Sequence, residues 1–179
     1  MLQFDWFEED EEDDLSDAQR AFLVVLRSRA GTWPCRPEDT QLVEPEDDCP
    51  RWRAVVDVTA QIAPLILITV GVCFDGTSIW AGEVDSGGYY PRPADESRVE
   101  VIEAAGSPED LARMAADWFE RVLARPVERR EWVRNGRSSY EYAFSDTSTG
   151  LCRGGNVGPD DYRWPPDRVV HARGVDTVG

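Results

Sequence analysis

The sequence contains no lysine: all 19 of its basic side chains are arginine, and His171 is its single histidine. One imidazole excludes a multi-histidine metal centre. With no nucleophile identifiable beside it, His171 also offers little to a Ser-His-Asp or Cys-His mechanism. Cys35, Cys49, Cys73 and Cys152 show neither CxxC nor any other metal-ligand spacing. Cys73 lies in an apolar run and reads as a buried small hydrophobe. Cys35 and Cys49 bracket an acidic loop and would pair only in an oxidising compartment. RGGNVGPDD (153–161) carries three glycines but lacks the lysine of a phosphate-binding loop, and it does not join a strand to a helix. The longest apolar stretch, PLILITVGVCF (64–74), is about half the length that spans a bilayer. The N-terminus has neither the basic nor the apolar region of a signal peptide, so a cytoplasmic protein without metal or cofactor is expected.

What the sequence has in excess is negative charge. Its 35 acids against 19 arginines leave a net charge of −16. Nine of those acids lie in residues 5–17, including the unbroken run Glu8 to Asp14, and six more lie in residues 38–48. Neither segment contains an arginine, and the rest of the chain is nearly neutral. Adjacent carboxylates repel one another and cannot enter a core, so the run must be solvated. Three aromatics, Phe4, Trp6 and Phe7, precede it. Exposed, they would supply the desolvating anchor that charge alone lacks; alternatively they fold back onto the domain as a short arm.

The chain length of 179 residues suits one domain with a real core, in keeping with 41% hydrophobic residues and seven tryptophans. Ser16 with Gln19 forms a capping-box pattern, and Ala18, Phe22, Val25, Leu26 and Ala30 make one apolar face, predicting a helix over 17–30 with Gly31 as its stop. Residues 32–50 hold four prolines and read as a loop. WRAVVDVTA (52–60) alternates as a half-buried strand, and PLILITVGVCF reads as a central strand covered on both faces. Asp75-Gly76 signals a type I′ hairpin into TSIWAGEV (77–84), which would place Val72 opposite Ile79 and Gly71 opposite Trp80, the glycine making room for the indole. A loop over 86–97 and a strand over 98–104 follow.

Ser107-Pro108-Glu109-Asp110 is a helix start, with Leu111, Ala115, Trp118 and Val122 as its apolar stripe and Asp117 to Arg121 as an ion pair. After Pro126 come two strands, 127–134 and 137–144, joined at Asn135-Gly136 in a register that pairs Val127 with Phe144 and Arg130 with Glu141. One face of this hairpin, with Glu128, Arg130, Trp132, Arg134 and Arg137, reads as basic with one aromatic. Residues 146–179 read as an irregular tail packed on the domain, anchored by Trp164. The expected organisation is therefore an acidic arm (1–15), an α+β domain (16–145) and that tail. The fold class is α+β, an antiparallel sheet of about five or six strands against one or two helices.

The charge pattern points to a non-enzymatic protein that binds and neutralises a basic partner, through Phe4, Trp6, Phe7, Glu8, Glu9, Asp10, Glu11, Glu12, Asp13 and Asp14 together with Glu44, Glu46, Asp47 and Asp48. Opposite potentials raise association rates, and a few aromatics hold the complex. In physical type the chain resembles inhibitors of basic enzymes, including nuclease-directed immunity proteins. The segment SPEDLARMAADWFERVLARPVERREW (107–132) resembles small acidic uncharacterised actinobacterial proteins, a likeness that implies no activity and carries over no site residue. The arginine-only basic set, with abundant Ala, Gly, Pro, Asp and Val, fits a high-GC genome. A second reading is a nucleic-acid mimic occupying a basic groove; the chain itself, at −16, repels nucleic acid. A third is a ligand-binding domain or enzyme with a pocket lined by Trp80, Tyr89, Tyr90 and Trp118. A cation cluster of Asp57, Asp75, Glu83 and Asp85 would require those four to converge.

Overall fold

The computed structural model describes residues 5–8, 15–46, 50–156 and 162–173. They form two compact units, each assembled from two pieces of chain: 1–58 with 68–123, and 59–67 with 124–179. The class is α+β, with two helices and two antiparallel sheets, of five and four strands.

The first unit opens with helix α1 (Asp17–Ala30), whose capping box is complete: Gln19 N–H donates to the Ser16 hydroxyl and the Gln19 side chain accepts from Ser16 N–H. Gly31 ends the helix in a right-handed conformation rather than the left-handed one its glycine would allow. A single 3-10 turn (Pro37–Asp39) leads into β1 (Thr40–Val43), a strand within the stretch expected to be loop. Then follow β2 (Trp52–Thr59), β3 (Ile66–Phe74), β4 (Ser78–Val84) and β5 (Ile102–Ala105), in the spatial order of their sequence. The α2 helix (Pro108–Leu123) closes the unit.

This meander explains the burial pattern. The central β3 is buried at every position but its first. Its neighbour β2 is enclosed on both faces rather than one, with Arg53 and Val55 as buried as Ala54 and Val56. One face meets the helices, where Phe22 of α1 stacks on Phe74 at 4.4 Å and stands edge-on to Trp52 at 6.1 Å. The other holds a smaller cluster of Val55, Cys73, Trp80 and Val84, overlaid by Val43, Tyr89 and Val101. Helix α2 buries Leu111, Ala115, Trp118 and Val122 as predicted, and Phe119 and Leu123 beside them. Each large side chain so enclosed contributes about 1.5–3 kcal/mol. The expected Asp117–Arg121 pair does not form: Asp117 accepts from Arg29 of α1 at 2.9 Å, and Arg121 reaches Glu100 at 3.4 Å.

The β3–β4 register differs from expectation by two residues. Phe74 faces Ile79, Cys73 faces Trp80 and Gly71 faces Gly82. The turn residues are Gly76 and Thr77, with Gly76 at φ +100° and Thr77 not positive, the pattern of a type II′ hairpin. The glycine that makes room for the Trp80 indole is Gly82, where a Cβ would sit 2.6 Å from the ring.

The second unit is built on β6 (Val127–Arg134) and β7 (Arg137–Phe144), whose pairing matches the predicted register from Val127–Phe144 to Arg134–Arg137. Asn135 and Gly136, at φ +52° and +73°, make the type I′ turn. The expected irregular tail contains two more strands, β8 (Gly150–Gly155) and β9 (Arg168–Arg173), giving the order β8-β7-β6-β9. Residues 59–67 join this unit through Gln61 N–H, which donates to Ala172 O at 3.2 Å, and Thr59 O, which accepts from Arg173 at 3.0 Å. Trp164 is 66% exposed and does not anchor the segment. That role falls to Trp132, whose buried indole donates to the Trp164 carbonyl at 2.8 Å and stands edge-on to Tyr162.

Candidate functional site

The arm that begins the described chain is folded back. Phe7 is completely enclosed, edge-on to the Trp33 ring at 6.0 Å and 6.3 Å from Phe119. Its main chain is held from two sides: Phe7 N–H donates to the Thr40 hydroxyl at 2.9 Å, while the Arg27 guanidinium donates to the carbonyls of Trp6 (2.9 Å) and Phe7 (2.8 Å). Trp6 is half-buried against Trp33. Of the two readings of the aromatics, Phe7 follows the second: rather than presenting its ring to a partner, it folds back and belongs to the core. Glu8 is exposed.

The second acidic segment starts where Phe7 docks. Asp39 is buried and accepts from the Arg36 main chain and guanidinium, whereas Glu38, 3.2 Å from the same guanidinium, is exposed. Thr40 follows directly, so Glu8 and Glu38 are one and two residues from the two ends of one hydrogen bond, that of Phe7 to Thr40. At the far end of β1, Glu44 and Glu46 are exposed. Beneath them runs Arg53, fully buried, whose guanidinium donates to Glu44 O at 2.7 Å, lies 3.6 Å from the Glu46 carboxylate and sits 5.7 Å from the centre of the Tyr90 ring. The two segments meet here again. Ser16 and Gln19, just past the acidic run, and Pro45 and Pro50, flanking the acidic loop, line one cavity of about 160 Å³ with Trp52, Phe74, Asp75 and Gly76.

The structure thus brings the described ends of both segments together at β1, the strand at one edge of the sheet. Of the predicted contact residues, Trp6, Phe7, Glu8, Glu44 and Glu46 are placed. Phe4, Glu9, Asp10, Glu11, Glu12, Asp13, Asp14, Asp47 and Asp48 lie outside the described residues, as does Cys49, and with it the Cys35–Cys49 pairing. Arg53 was not foreseen, because an arginine in an alternating strand reads as solvent-facing. Asp57, in the sequence only a candidate cation ligand, has a different role. It accepts from the Thr69 hydroxyl at 2.6 Å, and burial, reinforced by nearby Asp39, pushes its pKa up despite that bond.

The other candidates separate. Asp57 serves Thr69, Asp75 caps its own turn, Asp85 accepts from Gly87 and Gly88 N–H, and Glu83 is buried between Arg98 and Arg92. Among the described residues, no group of three or more His, Cys, Asp or Glu could hold a metal. The four proposed pocket aromatics do not line one pocket. Trp118 is wholly buried with its indole donating to Glu100 O, Trp80 is in the cluster on the sheet's other face, and the Tyr89 and Tyr90 hydroxyls donate to Gln41 and Glu46. On the basic face of the second hairpin Trp132 is buried, Arg130 pairs with Glu128 and Glu141, and Arg134 pairs with Asp167.

Charge follows the division into units. The first holds 27 of the 35 acids and ten arginines, the second eight acids and nine arginines. No helix among the described residues is long and apolar enough to cross a membrane. Compared with known proteins, the chain matches no family model, no curated protein and no solved structure.

Proposed function

We propose that this chain is a non-enzymatic interaction protein whose acidic edge binds a basic protein and neutralises or regulates it, in the manner of an inhibitor or immunity protein of the cytoplasm. The observation that supports this most is the convergence on β1. Phe7 is fastened to Thr40 at the start of β1, and Ser16 shares a cavity with Pro45 just past its end, so parts of two segments far apart in sequence lie close together there, with Glu8, Glu38, Glu44 and Glu46 exposed nearby. A solubility tail needs no such fastening. A concentrated negative field steers a basic protein inward, and the half-buried Trp6 and Leu42 provide apolar surface once the two meet.

The test is co-purification from a lysate of the source organism. Wild type is compared with a variant in which the acids of residues 8–14, 44 and 46 become their amides. Deleting the arm would be a poorer control, because it removes the core residue Phe7. A basic protein retained by wild type, released by moderate salt and lost from the amide variant supports the reading. Equal retention by both would mean that the acids serve solubility alone.

A further inference from the structure

From the placement of the acids around β1, we infer that the partner docks as an extended strand, basic at both ends and apolar in the middle, added to the free edge of β1. This inference rests on the acidic-edge reading and specifies its geometry. Among the described residues β1 has a neighbour on one side only, and no main-chain hydrogen bond links residues 41–43 to anything but β2. An open edge offers unpaired N–H and C=O groups to any extended chain, which folded proteins ordinarily prevent with a lysine, a proline or an inward-pointing charge in the strand itself. Thr-Gln-Leu-Val has none of these.

The protection is placed at the ends instead. Pro37 and Pro45 bracket the strand, and Glu8, Glu38, Glu44 and Glu46, all exposed, flank it. Two copies of this chain pairing antiparallel through β1 would set Glu38 of one, 3.2 Å from its own Arg36, beside Glu44 and Glu46 of the other, 3.6 Å from the buried Arg53, so that carboxylates outnumber the arginines at each end and self-association is disfavoured. The same carboxylates favour a strand carrying arginine or lysine at each end. Between them Leu42 and Val43, both half-buried, point to opposite faces of the sheet and would be covered by apolar side chains of the added strand. Strand addition obtains affinity from main-chain bonds and specificity from flanking side chains. Nucleic acid satisfies neither part of this site.

The probe is a synthetic peptide, Arg-Arg-Thr-Val-Thr-Val-Arg-Arg, titrated into the full-length protein beside the same peptide N-methylated on alternate central residues. The two carry equal charge and differ in the donors available for pairing. Fluorescence anisotropy is expected to show the unmethylated peptide binding about tenfold more tightly, the loss of one or two hydrogen bonds. Amide exchange should slow within residues 40–43. Equal affinity of the two peptides, or protection that appears at β5 instead, overturns the edge geometry while leaving the acidic reading in place. Failure of both peptides to bind at low salt overturns both.

Discussion

Phe7 is held at φ +51°, a conformation that bulky side chains rarely adopt, and its ring is nevertheless completely enclosed. Packing against Trp33 and Phe119 outweighs the strain. Replacing it should therefore invert a familiar order. Phe7→Ala is expected to lose about 3–5 kcal/mol in urea unfolding. Phe7→Gly should lose about 1 kcal/mol less than that, because glycine accepts a positive φ that alanine resists. An alanine variant as stable as wild type would remove Phe7 from the core; one more stable than the glycine variant would deny the strain. Asp57 makes the opposite kind of prediction. Burial raises its pKa in the folded state, so between pH 3.8 and that raised value the native protein holds the extra proton, and stability falls as pH rises through the window. Asp57→Asn, which still accepts from Thr69, should melt a few degrees above wild type at neutral pH and no higher near pH 3. A variant that melts lower at neutral pH would contradict this account. Neither residue announced its role in the sequence. Phe7 sits beside seven acids, so its sequence left exposed anchor and folded-back arm equally open, and Asp57 occupies the polar phase of an alternating strand that proved to be covered on both faces.

At the level of elements, the two hairpins show why one turn could be read correctly and the other could not. In Asn135-Gly136 both loop residues take positive φ, so the dipeptide signal and the turn coincide. In Asp75-Gly76 the aspartate stands before the loop. Its carboxylate accepts from the hydroxyls and N–H groups of Thr77 and Ser78, which moves the turn one residue along and shifts every pair by two. The Ser78 hydroxyl is the main reason, with Thr77 N–H next, that the Asp75 pKa is pushed down to about 2. The stabilisation it brings is fully present above the ordinary 3.8 and lost as pH falls through 2. Asp75→Asn should melt below wild type at pH 7, the gap closing near pH 2. A pH-independent gap would mean that shape, not charge, organises the turn. Solvent reaches this carboxylate, so the effect is expected to be small. Both helices were legible from caps and periodicity. Three strands, β1, β8 and β9, were not: each is short and set among prolines, glycines or charges, and its identity comes from the neighbour it pairs with.

Over the whole molecule, the first unit places 27 acids against ten arginines, and the ion pairs within it leave most of that excess unbalanced. Self-repulsion of this kind weakens as salt shortens the Debye length from about 30 Å at 0.01 M to about 3 Å at 1 M. Thermal melting in sodium chloride should accordingly rise by several degrees across that range, chiefly below about 0.2 M, where screening changes fastest. A melting point that falls with salt would show that attractive pairs such as Arg29 with Glu120 dominate. The concentration of acids was plain in the sequence. That the described Glu8, Glu38, Glu44 and Glu46 come close to one strand was not, because it depends on Phe7 reaching Thr40 and on a strand hidden in a proline-rich stretch.

The bond between Thr59 and Arg173 joins residues 114 positions apart. On a ribosome adding about 5–20 residues per second, the second half of that contact emerges on the order of ten seconds after the first. Every strand of the five-stranded sheet, and the helix that closes its unit, has left the tunnel by then. The turn at 59–67 meanwhile waits with its amides hydrated and its partner strand unwritten, so a nascent chain halted before β9 would carry one finished unit and one open seam.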